Sequence, residues 1–171
     1  HETFSGKKLQ YFDPEINQSY VPYVVETSIG LDRMFLATLA QAFKEEALED
    51  GTSRIVLKIP AFLAPIKVAV MPLTKKDGLP EKAEEIMQVL RFDHAITYDE
   101  KDSIGKRYRR QDAIGTPFCV TIDHETLQNN TVTIRHRDTM KQERVDIAQL
   151  PQLIDEQVSL KAALKRLSGV A

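Results

Sequence analysis

The segment Glu26-Thr27-Ser28-Ile29-Gly30-Leu31-Asp32-Arg33 gathers a carboxylate, a hydroxyl, a glycine and a guanidinium within a short reach of chain. Glu26 can bind an ammonium group as an ion pair. Gly30 permits close backbone approach by a ligand. Arg33 can hold a phosphate or stack on a planar base. Together these are the contacts that an adenylated amino acid requires. The same residues also fit an ordinary strand-turn-helix with a surface Arg-Glu pair.

A second stretch, Ser103 to Phe118, carries Lys106, Arg107, Arg109 and Arg110 around Tyr108. Lysine and arginine on phosphate with an aromatic ring on a base is a pattern of RNA contact. A solvated helix face with Asp112 paired to Arg109 is the bland alternative. By charge and expected exposure the RNA candidates are Lys106, Arg107, Arg110, Arg135 and Arg137. Cys119 lies in the apolar run Phe118-Cys119-Val120 and reads as a buried, inert thiol. His1, His94, His124 and His136 share no ligand spacing with one another or with Cys119, so no structural zinc is expected.

The elements that must position these residues follow from periodicity. Tyr20 to Glu26 reads as a strand and Thr27 to Gly30 as a turn. Leu31, Met34, Phe35, Leu39, Ala42 and Phe43 recur at helical spacing. That helix is expected to run into Lys44-Glu45-Glu46 and to fade near Asp50-Gly51. Pro60 and Pro65 bracket a stiff connection, and the domain boundary is placed there: residues 1–58, then 59–171. Beyond it, strands are expected at 67–71, 94–98, 118–122, 131–137 and 144–147. Helices are expected from Pro80, from Ser103 to Ile114 with Gly115 as the stop, and over 150–167. In the strand at 131–137, Val132 and Ile134 point inward and Thr133, Arg135 and Arg137 outward, while His136 ends the inward row. The order β-α-β-α-β-β-β-α implies an α/β fold, a mixed sheet flanked by helices.

Composition sets the outer limits. Of 171 residues, 42% are hydrophobic and 28% charged, which suits a packed core with a polar surface and argues against disorder throughout. Net charge is -2, so any nucleic-acid contact must be a local basic stripe acting within a Debye length of roughly 8–10 Å. A single cysteine excludes an internal disulfide and fits a reducing, cytoplasmic setting. No apolar run reaches the ~20 residues of a membrane span. The chain opens at His1 in mid-polar sequence, which reads as a piece of a longer protein.

The spelling Glu-Thr-Ser-x-Gly-Leu-Asp-Arg, with Met34 to Ala42 behind it, resembles motif 3 of class II aminoacyl-tRNA synthetases in its glycine-specific form. Phe4-Ser5-Gly6-Lys7-Lys8-Leu9-Gln10-Tyr11-Phe12-Asp13 resembles the segment that precedes it in glycyl enzymes. The stretch from Ser103, together with Val132-Thr133-Ile134-Arg135 and Arg137 to Gln142, resembles the anticodon-binding domain that glycyl, threonyl, prolyl and histidyl enzymes share. The resemblance implies a strand-helix remnant of the catalytic domain (1–58) followed by an anticodon-binding domain (59–171). It implies that Glu26, Ser28 and Gly30 line a glycine site, and that Gly30, Leu31, Asp32 and Arg33 lie at ATP. His136 departs from a carboxylate expected there in many relatives.

The resemblance also implies a glycine-tRNA ligase as the parent, with ATP and Mg²⁺ as cofactors, tRNA(Gly) and glycine as partners, and a homodimeric state. Excluding a larger side chain by apolar fit alone is worth only ~1–3 kcal/mol, so a glycine site needs steric exclusion besides a carboxylate for the ammonium group. The upstream motifs are absent from these residues. The fragment is therefore expected to bind tRNA without aminoacylating it. The alternative is a non-catalytic RNA-binding or regulatory protein derived from a synthetase, which has no need to keep Glu26, Ser28 and Arg33.

Overall fold

The computed structural model describes residues 1–169; residues 170 and 171, the end of the expected second domain, lie outside them. Contacts divide the chain into a unit His1–Met34 and a unit that starts at Phe35.

The first unit opens with a single helical turn, α1 (Glu2–Ser5), which Gly6 ends in the left-handed conformation at φ 64°. The strands β1 (Tyr11–Asp13) and β2 (Gln18–Tyr20) form an antiparallel hairpin with Tyr11 opposite Tyr20. Those two rings meet edge to face at 6.0 Å. The strand expected over Tyr20 to Glu26 is not formed; residues 21–30 have no regular structure. A strand needs a partner for its backbone groups, and none is paired to this segment among the described residues. Pro22 also removes a donor there. Val24 and Val25 consequently lie 81% and 95% exposed.

Helix α2 (Leu31–Ala42) begins where periodicity placed it but stops earlier than expected. Phe43–Ala47 forms strand β3, antiparallel to β4 (Ser53–Leu57) from Phe43 opposite Leu57 to Ala47 opposite Ser53. The turn between them explains the switch. Asp50 Oδ1 accepts from the Thr52 amide at 2.9 Å and from its hydroxyl at 2.6 Å, and Gly51 takes φ 78°. A hairpin so closed gives residues 43–47 a ladder that an exposed helical extension would lack.

The sheet of the second unit has the order β6-β5-β7-β8-β9, formed by β5 (Val68–Pro72), β6 (Ile96–Tyr98), β7 (Phe118–Ile122), β8 (Thr131–His136) and β9 (Gln142–Asp146). β5 runs parallel to β6 and β7, whereas β8 and β9 are antiparallel. Helices α3 (Leu79–Leu90), α4 (Ile104–Ile114), α5 (His124–Asn129), α6 (Leu150–Val158) and α7 (Leu160–Ser168) complete it. The expected mixed sheet with flanking helices is what forms.

The two faces are packed differently. Val68, Val70, Val120, Ile122, Val132 and Ile134 meet Leu79, Ile86 and Leu90 of α3 and Leu150 and Ile154 of α6. Ala69, Met71 and Cys119 point the other way and meet Ile104 and Tyr108 of α4. Each fully buried Leu or Ile contributes about 1.5–3 kcal/mol. Burial on both faces pushes the Cys119 thiol up to about 12, so it is protonated and inert.

Three local features differ from expectation. The expected helix over 150–167 breaks at Ser159, which is extended and accepts a hydrogen bond from the Ala162 amide as the cap of α7. Leu160, Leu164 and Leu167 of α7 are exposed, so only α6 packs on the sheet. Ser103 holds the position before α4, but its side chain makes no capping bond. Short α5 was not expected from periodicity; its start is fixed by a capping box in which Asp123 accepts from the Thr126 amide and the Thr126 hydroxyl oxygen from the Asp123 amide.

Arg144 of β9 clamps this cap, with Nη1 and Nη2 donating to Asp123 at 2.8 Å each. The Arg144 bonds lead the causes that hold the Asp123 carboxyl down at about 2. A folded-state pKa below the unfolded value adds stability above roughly pH 4 that is lost as pH falls toward 2. Urea midpoints measured between pH 5 and 2 should fall less steeply for Asp123→Asn than for the parent; identical slopes would refute the linkage.

The proline-flanked connection is pinned by Lys67. Its Nζ donates to the carbonyls of Ala61, Phe62 and Ala64 at 3.1, 2.9 and 2.7 Å. Pro60 and Pro65 bracket the short 3-10 turn of residues 61–63 that supplies two of them.

Candidate nucleic-acid interface

At 100° per residue the basic run of α4 cannot keep one face, and the structure separates it. Arg107, Gln111 and Asp112 are buried, while Lys106, Arg109 and Arg110 are exposed. Arg107 enters the crevice between the carboxyl ends of β5 and β6. Nη1 donates to Pro72 O at 2.6 Å and Asp99 O at 3.2 Å, and Nη2 to Leu73 O at 3.2 Å. β5 leads into α3 on one face and β6 into α4 on the other, and the crevice lies where those two connections leave the sheet. Here a guanidinium of the chain itself fills it.

Arg135 and Arg137 are also buried, at 5% and 3% exposure. The parity assigned to β8 holds, but the outward face is roofed by α4. Arg135 makes a bidentate pair with Asp112 at 2.8 and 2.9 Å and lies 4.8 Å over the Tyr108 ring. Burial works against its charge, and the Asp112 bonds overcome it to hold its pKa above the usual range. Arg137 donates to Gly115 O at 2.8 Å and pairs with Asp138. Candidacy of Arg107, Arg135 and Arg137 as exposed RNA contacts is therefore corrected: their charge is consumed inside the fold.

The same carboxylate takes a third partner. Arg54 of β4 donates through Nη1 to Asp112 Oδ2 and to Arg137 O, each at 2.9 Å. Its other nitrogens bond Glu46 of β3, which also pairs with Lys58. Asp112 thus ties the β3–β4 hairpin to α4 and β8. Arg109 does not pair with Asp112; it donates to Ser53 O at 2.9 Å.

Lys106 and Arg110 keep the exposure expected of them. Arg110 pairs with Asp99 and Asp102 and donates to Lys101 O at 2.6 Å. Those pairs, Asp99 first, hold its pKa above the usual range. Lys75 and Lys76 lie in the loop after β5 and Lys101 in the loop after β6, with Lys75 Nζ 3.2 Å from Glu100. These cations surround the sealed crevice. Lys75, Lys76 and Lys101 were not singled out in the sequence; their position at the carboxyl ends of adjacent parallel strands is the signal that finds them.

Glu26, Ser28, Gly30, Leu31, Asp32 and Arg33 are all exposed. A Cβ built on Gly30 would meet only the Arg33 methylenes at 3.9 Å, ordinary contact. Asp32 falls in the first turn of α2, where the helix dipole favours a carboxylate. His136, on the inward row, stacks edge-on against Phe118 at 5.1 Å and meets Glu143 at 2.9 Å, a structural setting. Among the described residues no three His, Cys, Asp or Glu side chains gather to hold a metal, and no helix is long and apolar enough to cross a membrane.

Residues 67–157 match the family model described as the anticodon binding domain. The chain is 49% identical over 154 residues to a glycine–tRNA ligase of Chlorobaculum tepidum, covering 90% of this chain and 33% of that protein. It is 51% identical over 158 residues to one of Clostridium tetani, covering 92% and 34%. It thus spans about a third of the length of these relatives. Its fold is similar to the crystal structure of the RNA binding domain of threonyl-tRNA synthetase from Cryptosporidium parvum Iowa II. There the TM-score is 0.54 at 23% identity, over 59% of this chain and 26% of that one. With the matched model spanning more than half of its residues and lying over the five-stranded sheet, the chain belongs to the anticodon-binding-domain family.

Proposed function

We propose that this chain is the C-terminal third of a glycine–tRNA ligase and that its own task is to hold the tRNA. The observation that carries this reading is the near-50% identity to such ligases over at least 90% of the chain. The division at 58/59 into a catalytic remnant and an anticodon-binding domain belongs to the same proposal. So do a cytoplasmic, homodimeric parent and its use of ATP, Mg²⁺ and glycine. The non-catalytic alternative is disfavoured because Glu26, Ser28 and Arg33 are all retained.

The residues of the proposed glycine and ATP site have suitable chemistry, a carboxylate for an ammonium group and a guanidinium for phosphate. On this chain they are exposed along a segment without a strand, so they do not enclose a ligand. The 171-residue chain is expected to give no glycine-dependent pyrophosphate exchange. Exchange above a no-protein blank would overturn the assignment of these residues to an incomplete site.

tRNA contact is assigned to Lys106 and Arg110, with Lys101 beside them. Phosphate binding by such cations is a salt-dependent, largely sequence-independent attraction. Lys101→Glu with Lys106→Glu should weaken binding of tRNA(Gly) by about tenfold at low salt, because two cations become two repelling anions. The slope of log affinity against log salt should flatten by roughly one for each phosphate that is no longer neutralised. Filter binding with circular dichroism as a folding control reads both; unchanged affinity would remove this edge from the interface.

A further inference from the structure

A cleft of about 440 Å³ lies between α3 and β6. That volume is within the ~300–1,000 Å³ range of ligand sites. Its floor is apolar, with Met87, Ile96 and Tyr98 half-buried against the main core. Its rim carries Glu81 and Glu84, both exposed and neither in an ion pair among the described residues, and Arg91, whose guanidinium lies 5.0 Å from the centre of the Phe92 ring. The Tyr98 hydroxyl donates to Glu100 at 2.7 Å, which fixes the ring.

The strand beside this cleft is an open edge. β6 pairs with β5 on one side, and no described strand pairs with the other. Sheet edges left open usually carry charges that discourage addition of another strand. The opposite edge strand obeys that rule: β9 bears Glu143, Arg144 and Asp146. β6, Ile96-Thr97-Tyr98, bears no charge. An uncharged edge next to an apolar cleft is suited to a peptide that adds as a strand and seats a side chain. The two unpaired carboxylates outnumber the one arginine of the rim and select its charge. They repel a phosphate backbone and attract lysine or arginine.

We infer that the α3–β6 cleft docks an extended, basic peptide segment of another protein, which adds to β6, seats an apolar side chain on Met87 and Ile96, and pairs a cation with Glu81 and Glu84. None of the cations assigned to tRNA lines this protein-docking surface, and it does not depend on the ligase reading.

The test is an NMR titration of the full 171-residue chain with the peptide acetyl-Lys-Val-Leu-Val-Lys-amide, compared with acetyl-Glu-Val-Leu-Val-Glu-amide. Amides of residues 95–99 and of α3 should shift with the basic peptide, and the acidic one should bind at least tenfold more weakly. Glu81→Gln with Glu84→Gln, both on the exposed side of a helix and compatible with folding, should lower affinity for the basic peptide about three- to tenfold. Equal binding of the two peptides, unchanged affinity in the double variant, or shifts confined to other residues would overturn the proposal. A cytidine trinucleotide that displaces the peptide and shifts the same amides at lower concentration would overturn it too, in favour of an RNA pocket.

Discussion

Asp112→Ala should lower the unfolding free energy of the second unit by about 3–5 kcal/mol, the cost of removing one partner of a buried ion pair. Asp112 is fully buried, and Arg54 and Arg135 are only 2% and 5% exposed. Alanine would leave two guanidinium groups in a dry interior without their counter-charge. Some compensation remains, since Arg54 keeps Glu46 and the Arg137 carbonyl, and Arg135 keeps the Tyr108 ring. Those partners place the expected loss toward the lower end of the range. Asp112→Asn preserves volume and part of the hydrogen bonding, so it should cost less. Urea denaturation followed by circular dichroism measures both variants. A loss under about 1 kcal/mol for alanine would mean that water reaches this network.

Gly115→Ala is the second large effect, expected at about 2–4 kcal/mol from backbone strain plus a steric clash. Gly115 ends α4 at φ 84°, in the left-handed region that side chains avoid. An added Cβ would lie 2.9 Å from Ile59 Cγ2 and 3.1 Å from the Leu57 carbonyl oxygen. The surroundings cannot relax freely, because Arg137 donates to the Gly115 carbonyl and Thr116 N to Gln111 O. Gly105 supplies the control: it lies in α4 with nothing within 4 Å of a built Cβ, so Gly105→Ala should be neutral or slightly stabilising. Equal midpoints for the two alanine variants would refute the close-packing account of Gly115.

Both effects concern residues that the sequence marked for other reasons. Gly115 was legible as the stop of α4, because a glycine after a periodic run is a local signal. Its packing against Leu57 and Ile59 was not, since those residues lie at and just after the end of β4, far away in sequence. Asp112 reads from sequence as a surface partner for Arg109, three residues earlier. The helix instead points it inward, where β4 and β8 deliver Arg54 and Arg135 from 58 and 23 residues away.

The strands and helices from 68 to 158 were largely visible, because their apolar periods are strong and Gly or Pro punctuates them. The hairpin at 43–57 was not. Its first strand continues a helical pattern, and only the Asp50–Thr52 turn and the opposing strand decide against helix. The segment from Tyr20 to Glu26 shows the converse. It has strand composition, but beyond Tyr20 it has no partner strand among the described residues, and composition cannot supply one.

Residue order alone was enough for the class of fold, the family resemblance and the set of charged residues available for binding. Which of those charges reach the surface was settled by packing. Alternation along β8 told correctly that Arg135 and Arg137 oppose Val132 and Ile134. Whether that opposite face meets water depends on where α4 crosses the sheet, and a crossing is not written in any local period. Because α4 roofs that face, Arg107, Arg135 and Arg137 serve the fold, and the reachable cations are those at the carboxyl ends of β5 and β6 and along the outer side of α4.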